Sequence, residues 1–167
     1  MTLRPARPSD LSAIAALHTT SRLSAYESFL APDARRRLPD EVHQHWQDWF
    51  NESTSRRRLM LVALVGADRC GFGLVEERGR GAMLRALHVA PEMRGRGIGR
   101  QLHAALVDTC VRWGYRRLDL HVIVDNAEAR DFYRSRGWLD TGTRGTHEIG
   151  GQRLSIARYV LDMAGQQ

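Results

Sequence analysis

Short runs of apolar and β-branched residues recur along the chain between turn residues, and each run predicts a β-strand. The sequence Gly66-Ala67-Asp68-Arg69 separates the second run from the third, which predicts a hairpin there. Pro5 and Pro8 restrict the first run to a sheet edge or a strand end, because proline cannot donate to the hydrogen-bond ladder. The predicted strands are residues 3–7, 59–65, 71–77, 83–89, 117–122, 137–144 and 153–161.

Apolar residues at helical spacing predict four helices between these strands. Ser9 or Asp10 is predicted to cap the first helix. The apolar face of that helix consists of Leu11, Ile14, Ala15, Leu17 and His18. Gly114 is the predicted C-cap of the third helix. Residues 21–39 are predicted to form a loop or a broken helix, and the later helices are predicted at 41–51, 97–114 and 126–136.

A helix connects the strands at 83–89 and 117–122, so these two strands can pair in parallel. The strands before them form an antiparallel meander, and the last two form a closing hairpin. At 167 residues the chain is long enough for one packed core. The order of elements therefore predicts a single α/β domain of the α+β type, covering residues 1–167.

All 25 basic residues are arginines, and the formal net charge is +6 at pH 7. A basic surface attracts phosphate groups, whether they belong to a cofactor, a nucleic acid or an acidic substrate. Residues 35–37 and 56–58 are arginine runs, but aromatic residues do not interleave with them as they do in single-strand binding surfaces. Nucleic acid is therefore not the expected partner, and an arginine-rich RNA-binding protein remains the weakest alternative.

The longest apolar runs, such as residues 59–65, are far shorter than the roughly 20 residues of a membrane span. The first seven residues contain no apolar signal region, which favours a cytoplasmic protein without membrane association. Cys70 and Cys110 lack metal-ligand or redox-motif spacing, so both are predicted to be reduced core residues. No metal is expected.

A glycine-rich turn, Arg94-Gly95-Arg96-Gly97-Ile98-Gly99-Arg100, lies between a predicted strand and a predicted helix. Glycine allows backbone N–H groups to approach an anion closely, and the start of a helix adds its positive dipole end. A phosphorylated ligand is therefore expected. The chain has no lysine for a Walker A motif, and Leu102 and Arg100 stand where a dinucleotide fingerprint needs its third glycine.

This turn resembles the signature Gln/Arg-x-x-Gly-x-Gly/Ala of the GNAT superfamily of acyl-CoA-dependent N-acyltransferases, and residues 87–99 fit it throughout. A second stretch agrees with the same family. It contains a strand at 118–122, a helix opened by Asn126 with Tyr133 late in it, and the pair Gly137-Trp138 before the next strand. The resemblance is close from about residue 83 to residue 138.

The resemblance implies a GNAT fold, with a mixed and mostly antiparallel seven-stranded sheet and about four helices. Its two central parallel strands splay apart, which places residues 87–89 opposite residues 120–122. It also implies acetyl-CoA as acyl donor, with the pyrophosphate held by the glycine-rich turn. The implied acetyl-CoA contacts are Leu87, His88, Val89, Arg94, Gly95, Arg96, Gly97, Ile98, Gly99, Arg100, Asn126, Ala129 and Tyr133.

Tyr133 corresponds to the family tyrosine that protonates the departing thiolate, and a phenol of pKa about 10 suits that role. Some family members carry a glutamate base twelve residues before the tyrosine, where this chain has His121. His88 on the partner strand is the alternative base, since either imidazole, with an ordinary pKa of about 6.5, could accept a proton from an amine.

The implied activity is acetyl transfer to a primary amine of a small molecule or peptide. Tyr26, Glu41 and Trp46 lie where the family builds its acceptor pocket, although aromatic residues at helical spacing more often belong to a core. A non-catalytic acyl-CoA sensor is the main alternative, and retention of Tyr133 and a candidate base favours catalysis over it. Homodimerisation through the edge of the closing hairpin is expected by analogy only.

Overall fold

The computed structural model describes residues 1–164. The strands are β1 (Thr2–Pro5), β2 (Arg58–Val65), β3 (Asp68–Arg78), β4 (Gly81–Val89), β5 (Arg117–Ile123), β6 (Leu139–Ile149) and β7 (Gln152–Asp162). The α-helices are α1 (Leu11–Tyr26), α2 (Pro32–Asn51), α3 (Ile98–Arg112) and α4 (Ala127–Arg134).

All seven strands form one sheet in the order β1-β2-β3-β4-β5-β7-β6. The pair β4 and β5 is parallel, and every other neighbouring pair is antiparallel. The predicted fold class is therefore confirmed. Among the strands of residues 1–164, the parallel pair is the one joined by a helical crossover, α3, because a parallel connection needs such a crossover.

Helices cover both faces of the sheet, so the core has two halves. One half packs α1 and α2 on the sheet and includes Ile14, Leu38 and Trp46. The other half packs α3 on the opposite face and includes Leu102 and Leu106. Each half is built from the alternate residues of the same strands, because successive side chains of a strand point to opposite faces.

The segment at 21–39, predicted as a loop or a broken helix, is broken only at residues 27–31, and the predicted start of the second helix at 41 is wrong. Helix α1 continues to Tyr26, and α2 already begins at Pro32 and passes through Pro39. The apolar positions Ala34, Leu38, Val42 and Trp46 recur every four residues and are all buried. Pro39 lies on the exposed face, where water can satisfy the carbonyl that loses its partner, so packing outweighs the cost of the proline.

Asp10 precedes α1 as predicted, but its side chain makes no capping hydrogen bond to that helix. The buried carboxylate instead accepts hydrogen bonds from Arg4 at 2.7 Å and Arg69 at 2.8 Å. These guanidinium groups, with Arg4 contributing most, hold the pKa of Asp10 well below its usual range. Asp10 therefore ties β1 and β3 to the start of α1.

Cys70 and Cys110 are free thiols and both are buried, in agreement with the prediction. Burial raises the pKa of the Cys110 thiol to about 12. Among the helices of residues 1–164, none is long and apolar enough to cross a membrane.

Candidate active site

The parallel strands β4 and β5 pair over only three residues and then separate. The last pair joins Leu84 to Leu120, after which β4 continues beside β3 and β5 continues beside β7. The expected gap is therefore present, but it begins after Leu120 and not at it. Arg85 has no partner on β3, because Val75 pairs with Leu84 while Leu74 pairs with Ala86. This bulge bends β4 away from β5.

A large cleft opens at the gap, with a volume of about 960 Å³. It runs from the glycine-rich turn at the start of α3, between the separated strands, to a wall formed by α1 and α2. Such a volume lies at the upper end of the usual range for small-molecule sites. The cleft is continuous, so a ligand at the turn and a ligand beside α1 and α2 share one cavity.

The glycine-rich turn carries a row of unused hydrogen-bond donors. Gly95 and Gly97 have positive φ values of 74° and 79°, which favour glycine. From Gly95 to Arg100, no backbone N–H donates to an acceptor within residues 1–164. The first that does is Gln101, which donates to the carbonyl of Gly97 at 3.1 Å. Six consecutive unused donors at a helix N-terminus have the chemistry that an anion requires.

Arginines beside the turn are placed in two different ways. Arg100 is exposed and lies close enough to Arg136 to lower the pKa of that guanidinium, although burial lowers it more. Arg94 instead spans the cleft, with its guanidinium 3.3 Å from the Ser24 hydroxyl on α1 and 3.7 Å from the Glu128 carboxylate on α4. Arg136 was not predicted as a site residue, although it stands beside the Gly137-Trp138 pair of the second motif.

Asn126 and Tyr133 lie on the α4 side of the cleft. The Asn126 side chain accepts from the backbone N–H of Ala129 at 3.1 Å, so it is the N-cap of α4. Tyr133 packs edge-on against Phe132 and lies 5.7 Å from Trp138 between ring centroids. Burial, with a smaller effect of Tyr26, raises the pKa of Tyr133 and keeps its phenol protonated.

The two candidate bases have different surroundings. The His88 ring is stacked on Phe72, and its Nδ1 atom is 3.2 Å from the Ser21 hydroxyl. Burial, then Arg22 and Arg94, lowers the pKa of His88 to about 3. His121 lines the cleft on β5 and is more exposed. Its pKa is lowered mainly by burial and then by the neighbouring guanidinium groups of Arg78, Arg158 and Arg85, with Asp119 opposing them.

The three predicted acceptor residues all line the cleft. Tyr26 is buried, and its phenol interacts with Arg22 and Asn126. Glu41 accepts the backbone N–H of Gly150 at 2.7 Å and so joins α2 to the turn between β6 and β7. Trp46 is only 1% exposed and donates to His18 Nδ1 at 2.9 Å, so it belongs mainly to the core.

Sequence reasoning missed a concentration of histidines in this cleft. Five of the seven histidines line it, and they come from five different elements: His18, His45, His88, His121 and His147. Within residues 1–164, no three His, Cys, Asp or Glu side chains are arranged to hold a metal ion.

Sequence reasoning also missed Arg22, which lines the cleft. It lies on the same wall as His18 and lowers the pKa of four of these histidines, all except His121.

Comparison with known proteins gives a family match over most of the chain. A family model described as "Acetyltransferase (GNAT) family" matches residues 22–138. The mycothiol acetyltransferase of Clavibacter michiganensis subsp. michiganensis (strain NCPPB 382) is 33% identical over 104 residues, which are 62% of this chain and 31% of that protein. The chain thus spans under a third of the length of this relative.

Solved structures share the fold at low identity. The PaiA N-acetyltransferase from Thermoplasma acidophilum in complex with coenzyme A superposes with a TM-score of 0.84 at 19% identity, covering 96% of this chain and 98% of that one. The ribosomal-protein-S18-alanine N-acetyltransferase from Escherichia coli superposes with a TM-score of 0.68 at 20% identity. The match covers 97% of this chain and 93% of that one.

Proposed function

This chain belongs to the GNAT family of acetyltransferases, and we propose on that basis that it moves an acetyl group from acetyl-CoA to a primary amine. The amine belongs to a small molecule or a peptide, and it attacks the thioester directly while both substrates are bound. The observation that carries the proposal is the row of six unused N–H donors beside the gap between β4 and β5.

The residues of the cleft suit the chemical parts of acetyl-CoA. The N–H groups of residues 95–100, with Arg100 and Arg136 nearby, match a pyrophosphate. The gap between the separated strands exposes unpaired backbone edges, which match the amide groups of a pantetheine arm. The thioester would then lie near residues 87–89, where backbone N–H groups of β4 could polarise its carbonyl.

Each proposed catalytic group has one task in this arrangement. Tyr133 protonates the departing thiolate, because its phenol stays protonated in the cleft. His121 accepts the proton of the amine, directly or through water, because its lowered pKa keeps the imidazole neutral at pH 7. We favour His121 over His88, since a pKa of about 3 makes His88 a weak base.

The direct test measures binding and turnover separately. Calorimetric titration with acetyl-CoA, compared with free coenzyme A, should give stoichiometric micromolar binding. Thiol release in the presence of a panel of primary amines should then exceed release without an amine. Binding without amine-dependent thiol release would identify an acyl-CoA sensor, and absence of binding would contradict the proposed function.

Replacing His121 by alanine should remove the acidic limb of the pH profile of kcat/KM and lower the rate at pH 7 by about 100-fold. The limb lies on the acidic side because the pKa of His121 is lowered. Wild-type His121 is therefore neutral and active at pH 7 and becomes protonated only below its ordinary pKa of about 6.5. Initial rates between pH 4.5 and pH 9 measure this.

His147→Ala is the matched control, because His147 also lines the cleft and its pKa is also lowered. The acidic limb should persist in this variant and in His88→Gln. Loss of the limb in His147→Ala and its retention in His121→Ala would assign the base to β6.

A further inference from the structure

The wall of the cleft opposite the glycine-rich turn carries a stripe of polar residues from α1. His18, Arg22 and Tyr26 are spaced four residues apart, so they lie on one face of the helix, and all three line the cleft. The start of the stripe is packed against the core, with Trp46 of α2 bonded to His18. These side chains are therefore held in place beside the half of the cleft that contains the predicted acceptor residues Tyr26, Glu41 and Trp46, here called the acceptor half.

Arg22 is a largely buried cation for which residues 1–164 supply no paired carboxylate. No carboxylate of residues 1–164 lies within 4.0 Å of its guanidinium, and its buried Nε atom has no hydrogen-bond partner among them. Burial lowers its pKa, and Tyr26 and Glu41 only partly oppose this effect. Buried charges are normally paired, so a ligand is the expected source of the missing anion.

His18 supplies a second unused donor on the same stripe. Its Nδ1 atom accepts the Trp46 N–H, so the neutral imidazole carries its proton on Nε2. Nε2 is buried and has no acceptor within residues 1–164, and the whole side chain is only 4% exposed. Burial, then the charges of His88 and Arg22, lowers the pKa of His18, which keeps the ring neutral. His18 therefore packs behind Arg22 as a neutral ring, and Arg22 is the member of this pair that can reach a ligand in the cleft.

The three carboxylates that line the cleft are already engaged. Glu76 pairs with Arg85 at 3.0 Å, and Glu128 lies 3.7 Å from Arg94. Glu41 accepts the N–H of Gly150. None of these three carboxylates forms an ion pair with Arg22, although the charge of Glu41 acts on it at longer range, and the cleft has no cluster of unengaged carboxylates for a polycationic acceptor.

From these contacts we infer that the acceptor is a free amino acid, whose carboxylate binds the guanidinium of Arg22 while its amino group faces the gap between β4 and β5. The inference rests on the proposed function, because it assigns a substrate class to the same cleft. A planar carboxylate matches the guanidinium fork of Arg22. Arg22 and His88, at the edge of the gap, line the same cleft, and the short separation of carboxylate and amino group in an α-amino acid suits this arrangement.

The test compares three forms of one acceptor. Initial rates of thiol release from acetyl-CoA are measured with the twenty ordinary α-amino acids, their carboxamides and the corresponding decarboxylated amines. The carboxamides also stand for a peptide N-terminus. We expect kcat/KM of the preferred amino acid to exceed that of its carboxamide and its amine by about 100-fold, as for loss of one partner of a buried charge pair.

Arg22→Gln should lower kcat/KM for the amino acid by about 100-fold, mainly through KM, and change the value for the decarboxylated amine by less than about threefold. Arg22→Lys keeps the charge without the fork and should recover part of the loss. Arg36→Gln is the matched control, because Arg36 is an exposed arginine on α2. Calorimetric binding of acetyl-CoA should be equal in all four proteins.

Equal rates of the wild-type protein with amino acids, carboxamides and amines would overturn this inference and leave the acetyltransferase proposal intact. An equal loss for all acceptors in Arg22→Gln would do the same. Acetyl-CoA binding without turnover of any amino acid would also overturn it. Failure of the wild-type protein to bind acetyl-CoA would instead contradict the proposed function itself.

Discussion

Replacing Gly97 by valine is expected to weaken acetyl-CoA binding by about 100-fold or more, which corresponds to about 3 kcal/mol. Gly97 has a φ of 79°, a conformation that β-branched residues avoid, so the turn must rearrange. The rearrangement moves the N–H donors of residues 95–100 away from a common anion. Loss of two charge-assisted hydrogen bonds of about 1.5 to 3 kcal/mol each accounts for the effect.

Gly114→Val is the matched control for this experiment. Gly114 has a φ of 89° with no atom within 4 Å of an added Cβ, and it follows the opposite end of the same helix, α3. The control variant therefore has similar backbone strain far from the turn. Calorimetry should give it the wild-type affinity for acetyl-CoA. Equal affinities of Gly97→Val and the wild-type protein would remove the glycine-rich turn from the binding site.

Replacing Tyr133 by phenylalanine is expected to lower kcat by about 100-fold and to leave the KM for acetyl-CoA within about threefold. Phenylalanine preserves the ring that packs against Phe132 and Trp138, so only the hydroxyl is lost. Burial raises the pKa of Tyr133, so the phenol keeps its proton until the proposed thiolate departs.

Tyr26→Phe tests whether another phenol performs the transfer. Tyr26 is buried in the same cleft, and burial also raises its pKa. Steady-state kinetics should show a smaller loss of kcat in Tyr26→Phe than in Tyr133→Phe. The opposite order would assign the acid to α1. The raised pKa of Tyr133 also means that the rate should show no alkaline limb from this group below pH 10.

The central part of the fold could be predicted because its signals are local. The glycine-rich turn, the C-terminal glycine of α3 and the cap of α4 each depend on a few neighbouring residues. The parallel pairing of β4 with β5 follows from the length of the crossover alone. These features also carry the family resemblance, so the fold and the position of the turn were both available from the sequence.

The segment at 21–39 shows where local signals fail. Pro39 indicates a break in a helix, whereas Ala34 and Leu38 continue an apolar stripe that only the sheet can bury. The stripe determines the outcome, because burial of each large apolar side chain contributes about 1.5 to 3 kcal/mol, and the proline lies on the exposed face. A sequence shows both signals but not which face of the helix is covered.

The sequence by itself determined most of the elements, the class of fold and the glycine-rich motif at the start of α3, since these depend on residues close together in the chain. Only the tertiary structure decided what the acceptor half of the cleft contains. His18 and Arg22 read as ordinary positions of an amphipathic helix until α1 and α2 pack against the sheet. That packing removes water from Arg22, while residues 1–164 leave its Nε atom without a hydrogen-bond partner. A partner would have to come from a distant strand or helix, so the residues next to Arg22 in the sequence cannot show that it is missing.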